Sequence, residues 1–128
     1  MNFKEVKLAQ SRAYAPYSNF KVGAAILMKD GSYVYGCNVE NASYGLSNCA
    51  ERSALFSLIS QGKNPKDIVS ITVIGDTDKP ISPCGACRQV MYELLPKDAK
   101  VILTNQKGEV LEMTPDSLLP YGFDLKER

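Results

Sequence analysis

The 128-residue chain contains no histidine. That absence removes every histidine base, every Ser-His or Cys-His nucleophile and every imidazole-ligated metal site. Acid–base work near neutral pH must then fall to a carboxylate, a tyrosine, a lysine or a metal-activated water. The chain also lacks a dominant charge. Lys and Arg number 15 against 14 Asp and Glu. No broad basic surface exists for a nucleic-acid polymer, so a small-molecule partner is expected instead. No apolar run approaches the ~20 residues of a membrane span. Met1-Asn2-Phe3-Lys4-Glu5 alternates charge and has no apolar stretch like that of a secretion signal, so a cytoplasmic protein is expected. Residues 1–128 contain no repeat, low-complexity tract or linker. They read as one domain, long enough to bury a core without cross-links.

Cysteine is sparse: Cys37, Cys49, Cys84 and Cys87 are the full set. In a reducing compartment an even count points to metal or catalysis rather than to disulfides. Three of the four fall in two short stretches, Cys49-Ala50-Glu51-Arg52 and Pro83-Cys84-Gly85-Ala86-Cys87. Three thiolates leave a tetrahedral zinc one ligand short, and a catalytic zinc keeps such a position open for water. Glu51, two residues from Cys49, could move protons for that water. Such a centre is anionic and needs a cation nearby. Arg52 and Arg88 each directly follow a ligand stretch, and either could donate hydrogen bonds to sulfur. Plainer readings stand beside this one. A Cys-x-x-Cys is also a structural zinc half-site or a redox pair. Cys37 could close a four-ligand site, although its apolar strand makes it read as a small core residue. Glu51 lies three residues after Asn48 and could simply close a capping box. Asn41-Ala42-Ser43 matches a glycosylation sequon, which means nothing in a cytosolic chain.

Phe3, Val6, Ala9 and Ala13 have helical spacing, and Tyr14-Ala15-Pro16-Tyr17-Ser18-Asn19 breaks it. Lys21 to Met28 and Ser32 to Val39 read as a hairpin turning at Asp30-Gly31. A second helix starts at Asn48 or Cys49, with Asn48 as its cap, and ends at Gly62. Ile68 to Ile74 is a β-branched run, as in a central strand. A third helix is expected with Ser82 as cap and Pro83 as first residue, stopped by Pro96. Val101 to Leu103 and Glu109 to Met113 are strands, and a short helix starts near Thr114. Strands alternating with helices argue for an α/β fold with a mixed sheet and helices on its faces. Both cysteine stretches then sit at helix N-termini that follow strands, where thiol pKa values fall.

Zinc nucleobase deaminases carry His-x-Glu followed by Pro-Cys-x-x-Cys. Cys49-Ala50-Glu51 with Pro83-Cys84-Gly85-Ala86-Cys87 resembles that signature, with cysteine in the histidine position. The likeness is wider. Tyr17-Ser18-Asn19-Phe20-Lys21-Val22-Gly23-Ala24-Ala25, Gly36 to Gly45, Asn48 to Arg52, Ser82 to Gln89, and Leu118-Leu119-Pro120 ahead of Phe123 all resemble the small homotetrameric cytidine deaminases. The resemblance spans nearly the whole chain. It implies a three-layer α/β/α fold with a mixed five-stranded sheet. It also implies deamination of cytidine and 2′-deoxycytidine to uridine and 2′-deoxyuridine plus ammonia, with one zinc ion per subunit. Cys49, Cys84 and Cys87 would bind the zinc and Glu51 would shuttle protons. Arg52 would offset the thiolate charge. Asn38 and Glu40 would hold ribose hydroxyls, with Phe20 and Ala50 against the nucleoside. Ala42, Tyr44 and Phe123 would complete pockets of neighbouring subunits, so a homotetramer with shared sites is implied, with neither nucleic-acid polymer nor membrane as partner. Blasticidin-type deaminases share the cysteine elements, and Asn38-Val39-Glu40 favours the nucleoside. A non-enzymatic zinc module is the alternative of another class; it would close its site with a fourth ligand and have no use for Glu51.

Overall fold

The computed structural model describes residues 3–125. Along the chain run α1 (Phe3–Ser11), β1 (Val22–Met28), β2 (Tyr33–Cys37), α2 (Ala50–Ser60), β3 (Ile68–Gly75), α3 (Gly85–Leu94), β4 (Lys100–Asn105), β5 (Val110–Met113) and α4 (Pro115–Leu118). The five strands form one sheet in the order β2-β1-β3-β4-β5. β3 and β4 are parallel and every other pair is antiparallel, so the sheet is mixed as expected.

The side-chain alternation of the strands builds two apolar layers. Val22, Ala24, Ile26 and Met28 of β1 face α2 and α3, where Leu55, Leu58, Met91, Val101 and Leu103 complete the main core. On the other face Ala25 and Ile74 meet Val6 of α1, flanked by Tyr33 and Tyr35. One helix therefore covers part of one face, and α2, α3 and α4 occupy the other.

The turns follow residue chemistry. Gly31 (φ 87) and Gly108 (φ 82) supply the left-handed backbone of the two hairpins, and Gly62 (φ 78) ends α2. Asp30 Oδ1 accepts from the Ser32 amide at 2.9 Å and from its hydroxyl at 2.6 Å. α1 stops at Ser11, two residues short of the sequence expectation. The Arg12 and Ala13 amides fold back on Ala9 and Gln10, and the Tyr14 amide leaves to the Asn38 carbonyl. β2 ends at Cys37 rather than Val39, because Asn38 turns its side chain onto β1. Its Oδ1 accepts from the Val22 amide at 2.8 Å and its Nδ2 donates to the Phe20 carbonyl at 2.8 Å.

The two helix caps also differ from expectation. Cys49, not Asn48, is the N-cap of α2, and Cys84, not Ser82, is the N-cap of α3. Pro83 thus lies outside α3 rather than at its first position. α4 starts where expected, and there Thr114 and Ser117 exchange hydrogen bonds in a capping box.

Candidate active site

β1, β2 and β3 bring α2 and α3 side by side so that their first turns meet. Each N-cap carbonyl accepts the first helical bond: Ser53 N to Cys49 O and Arg88 N to Cys84 O, both 3.0 Å. Both cap residues therefore carry thiols, and of the two only Cys84 turns its sulfur onto its own helix. Cys84 Sγ accepts from the Cys87 amide at 3.4 Å.

The sulfurs of Cys49, Cys84 and Cys87 all lie within 4.8 Å of one another. Cys49 and Cys84 Sγ are 3.7 Å apart. Two sulfurs at ~2.3 Å from a tetrahedral zinc stand about 3.8 Å apart, so the Cys49–Cys84 pair already has zinc spacing and the donor set suits zinc. Among the described residues no other Cys, Asp or Glu joins the cluster. Cys37 is a free thiol outside it, and burial pushes its pKa up. The closed four-ligand alternative thus finds no ligand at Cys37.

Charge around the sulfurs is shared unevenly. The Cys49 thiol is drawn down to about 5, first by the hydrogen bond from Cys87 and then by those from Arg52 and Cys84, against the opposing effect of burial. Cys87, as the donor to Cys49 and fully buried, is pushed up. Arg52 Nη2 donates to Cys49 Sγ at 3.4 Å, and its Nε is a buried N–H with no hydrogen-bond partner. Contact with thiolate raises the Arg52 pKa further. Of the two candidate cations, Arg52 therefore takes the sulfur role. Arg88 does not. Its guanidinium donates to Pro83 O (2.8 Å), Leu118 O (3.0 Å) and Ser82 Oγ (2.8 Å), tying the ligand loop to α4.

Glu51 is 4% exposed. No capping box with Asn48 forms; the Asn48 amide instead reaches Ser53 Oγ at 3.4 Å. Burial, first of all, raises the Glu51 pKa, and the charge at Cys49 adds to it. A carboxyl so placed can hold or release a proton nearer neutral pH than a solvated one.

Glu51 opens onto a pocket of about 270 Å³. Phe20, Asn38, Glu40 and Ala50 line it with Cys49 and Cys84, so four of the expected substrate contacts converge on the thiols. Val22, Ser47, Asn48, Ile81 and Ser82 complete its wall, and of these Ser47 and Ile81 lie outside the stretches that carry the family resemblance. Glu40 is already engaged. Its Oε1 accepts from the amides of Tyr17 (3.0 Å) and Ser18 (3.1 Å), and the Ser18 hydroxyl donates to Oε2. These bonds, led by that of the Ser18 hydroxyl, lower its pKa. Asn38 and Glu40 thus hold the Tyr17–Phe20 loop as well as facing the pocket. Ala42, Tyr44 and Phe123 do not line it. Tyr44 is 81% exposed, and the Phe123 carbonyl accepts from Gln89 Nε2 at 2.9 Å.

Residues 2–104 match the family model for the cytidine and deoxycytidylate deaminase zinc-binding region. The chain is 55% identical over 127 residues to a cytidine deaminase of Halalkalibacterium halodurans, covering 99% of this chain and 95% of that protein. It is 46% identical to a cytidine deaminase of Sporosarcina psychrophila, covering 96% and 89%. The fold superposes on the crystal structure of a cytidine deaminase from Burkholderia pseudomallei with a TM-score of 0.91 and 55% identity, over 94% of each chain.

Proposed function

We propose, given that this chain belongs to the cytidine and deoxycytidylate deaminase family, that it hydrolyses cytidine and 2′-deoxycytidine to uridine and 2′-deoxyuridine, releasing ammonia. One observation carries the reading: three thiols lie within 4.8 Å of one another, and two of them, Cys49 and Cys84, line a pocket with a buried carboxyl, Glu51. Cys49, Cys84 and Cys87 hold one zinc ion per subunit, which when bound supplies a Lewis acid that makes water a nucleophile near neutral pH. Arg52 offsets the negative charge of three sulfurs. Glu51 takes a proton as the water oxygen bonds to C4 of the base, and delivers it to N3. It then transfers the remaining hydroxyl proton to the amino group, the C4–N bond breaks, and ammonia departs. Its raised pKa suits a group that must both accept and donate.

Phe20 and Ala50 present apolar surface to the base. Asn38 and Glu40, fixed by their bonds to the Tyr17–Phe20 loop, hold the ribose hydroxyls with their remaining donor and acceptor capacity. Ala42, Tyr44 and Phe123 complete the pockets of neighbouring subunits in a homotetramer. The half-exposed Phe56 and Ile59, beside Val90 and Leu94, leave an apolar groove between α2 and α3 that such an assembly would cover. No helix among the described residues is long and apolar enough to cross a membrane, and the cytoplasm is the compartment that keeps three thiols reduced.

The test is direct. Cytidine absorbance should fall on adding zinc-loaded protein, stop on chelation and resume on adding zinc back. Glu51→Gln should retain zinc yet lose about 10²–10⁴-fold in turnover. Near wild-type activity in that variant would refute the proton-transfer role. A folded, zinc-bound protein inert to cytidine would refute the reaction.

A further inference from the structure

The face of the sheet that carries α1 is only partly covered. Beyond that helix, and at the opposite end of β3 from the thiols, lies a groove of about 640 Å³. That volume is within the roughly 300–1,000 Å³ of small-molecule pockets. β3 runs from Ile68, on the groove, to Gly75, at the catalytic pocket. Seven residue steps put the two sites about 23 Å apart.

The strand register explains what lines the groove. Leu27, Ser70 and Lys100 form one row across β1, β3 and β4, and Ala25, Thr72, Ile102 and Glu112 form the next. Ser70 is 7% exposed and Thr72 5%, yet neither hydroxyl has a hydrogen-bond partner among the described residues. Both side chains line the groove, so their hydroxyls reach the water that fills it and can exchange that water for a ligand's acceptor. Lys29 and Lys66 stand at the rim, held near each other where the Lys29 amide donates to the Asp67 carbonyl at 2.9 Å. Neither lysine forms an ion pair among the described residues. Lys100 pairs with Glu112 at 3.6 Å, and Asp98 adds a second carboxylate. Leu27, Ile68 and Ile102 give an apolar floor.

We propose that this groove binds a phosphate monoester carried on an apolar or aromatic body. Two ammonium groups outside any ion pair and two hydroxyl donors match the charge and the three outer oxygens of a phosphate dianion. The apolar floor takes the body, and Lys29 and Lys66 outnumber Asp98, the rim carboxylate that Lys100 does not pair. This site is separate from the deamination reading and does not depend on it.

Titration calorimetry of the full-length, zinc-loaded protein with phenyl phosphate, inorganic phosphate and phenol tests this. Phenyl phosphate should bind about tenfold or more tightly than either half. Ser70→Ala, Thr72→Val and Lys66→Ala should each weaken it about fivefold or more, while cytidine turnover without the probe stays unchanged. Each of the following would overturn the proposal: no heat from phenyl phosphate at millimolar concentration, undiminished binding in all three folded variants, or a change in sedimentation with Lys66→Ala in place of a change in binding. The last would make the groove a contact between subunits.

Discussion

Gly75 sits where β3 ends at the catalytic pocket, and a methyl group there has a calculable consequence. A Cβ added at Gly75 would lie 2.5 Å from Ile81 Cδ1, 3.3 Å from Phe20 Cζ and 3.4 Å from Ile81 Cγ1. Ordinary contact begins near 3.4 Å, so the Cδ1 methyl must retreat by most of an ångström. Ile81 is buried and Phe20 lines the pocket with it, so part of that retreat is into substrate space. Overpacking of this kind costs about 1–3 kcal/mol. The offending atom is the one that Ile81→Val deletes, a change that alone costs about 0.5–1.5 kcal/mol. Gly75→Ala/Ile81→Val should therefore be more stable than the sum of its parts by about 1–2 kcal/mol. Urea denaturation of the four proteins gives the coupling, and cytidine kinetics give its functional counterpart. KM should rise in Gly75→Ala and recover in the double variant, with zinc content constant throughout. Additivity within about 0.5 kcal/mol would refute the steric account.

Two further outcomes follow from charge. Arg52→Ala removes the guanidinium donor at 3.4 Å from Cys49 Sγ; it should retain zinc but lower kcat, by about tenfold for a lost charge-assisted bond of 1.5 kcal/mol, and unchanged kinetics would remove the charge-offset role. Glu40 has a folded pKa below its ordinary value of 4.5, so its anchoring of the Tyr17–Phe20 loop is fully present above that value. The anchoring is lost as pH falls through the lower folded value. NMR titration of its carboxyl carbon should give a midpoint under 4.5, whereas a midpoint at or above it would show that the amide and hydroxyl bonds do not act on the anion.

The thiol cluster that could hold zinc was legible because chemistry, not packing, selects it: three cysteines in a chain without histidine, with a glutamate two residues from one of them. The strands were legible from β-branched runs and from glycines at the hairpins. The caps were not. Cap preference favours Ser or Asn, and Asn48 and Ser82 each stand next to or near the true cap. Cysteine has the same one-atom reach from Cβ as serine, and at Cys84 its sulfur takes the amide that a hydroxyl would have taken. Two of the three clustered thiols, Cys49 and Cys84, thus occupy the capping positions themselves, a choice no propensity scale anticipates. Spacing alone did not separate Arg52 from Arg88, since each follows a cysteine stretch, and only the family resemblance favoured Arg52. What separates them is long-range, because Arg88 finds the Leu118 carbonyl thirty residues away. Asn38 and Glu40 carried a motif signal for the sugar. Their second task, bonding the loop that carries Phe20, depends on a fold in which β2 lies against β1.

The placement of Glu51 is in the end a matter of interlayer distance. A Cβ at Gly36 would stand 2.3 Å from the Ala54 amide nitrogen and 2.5 Å from the Ala50 carbonyl. α2 therefore rests on β2 backbone against backbone, with the small side chains of Ala50 and Ala54 fully buried between other contacts. On the opposite face Gly23 does the same for α1, where a Cβ would stand 2.4 Å from the Gln10 amide nitrogen and 2.6 Å from the Val6 carbonyl. These glycines have no positive φ, so their role is close approach rather than backbone freedom. Any larger residue at Gly36 must lift the first turns of α2 from the sheet. Cys49 and Glu51 ride on that turn, whereas Cys84 and Cys87 belong to α3 and are held separately through Arg88. Lifting one helix and not the other would open the sulfur triangle and withdraw the carboxyl together, so the spacing of two layers sets both metal affinity and proton transfer.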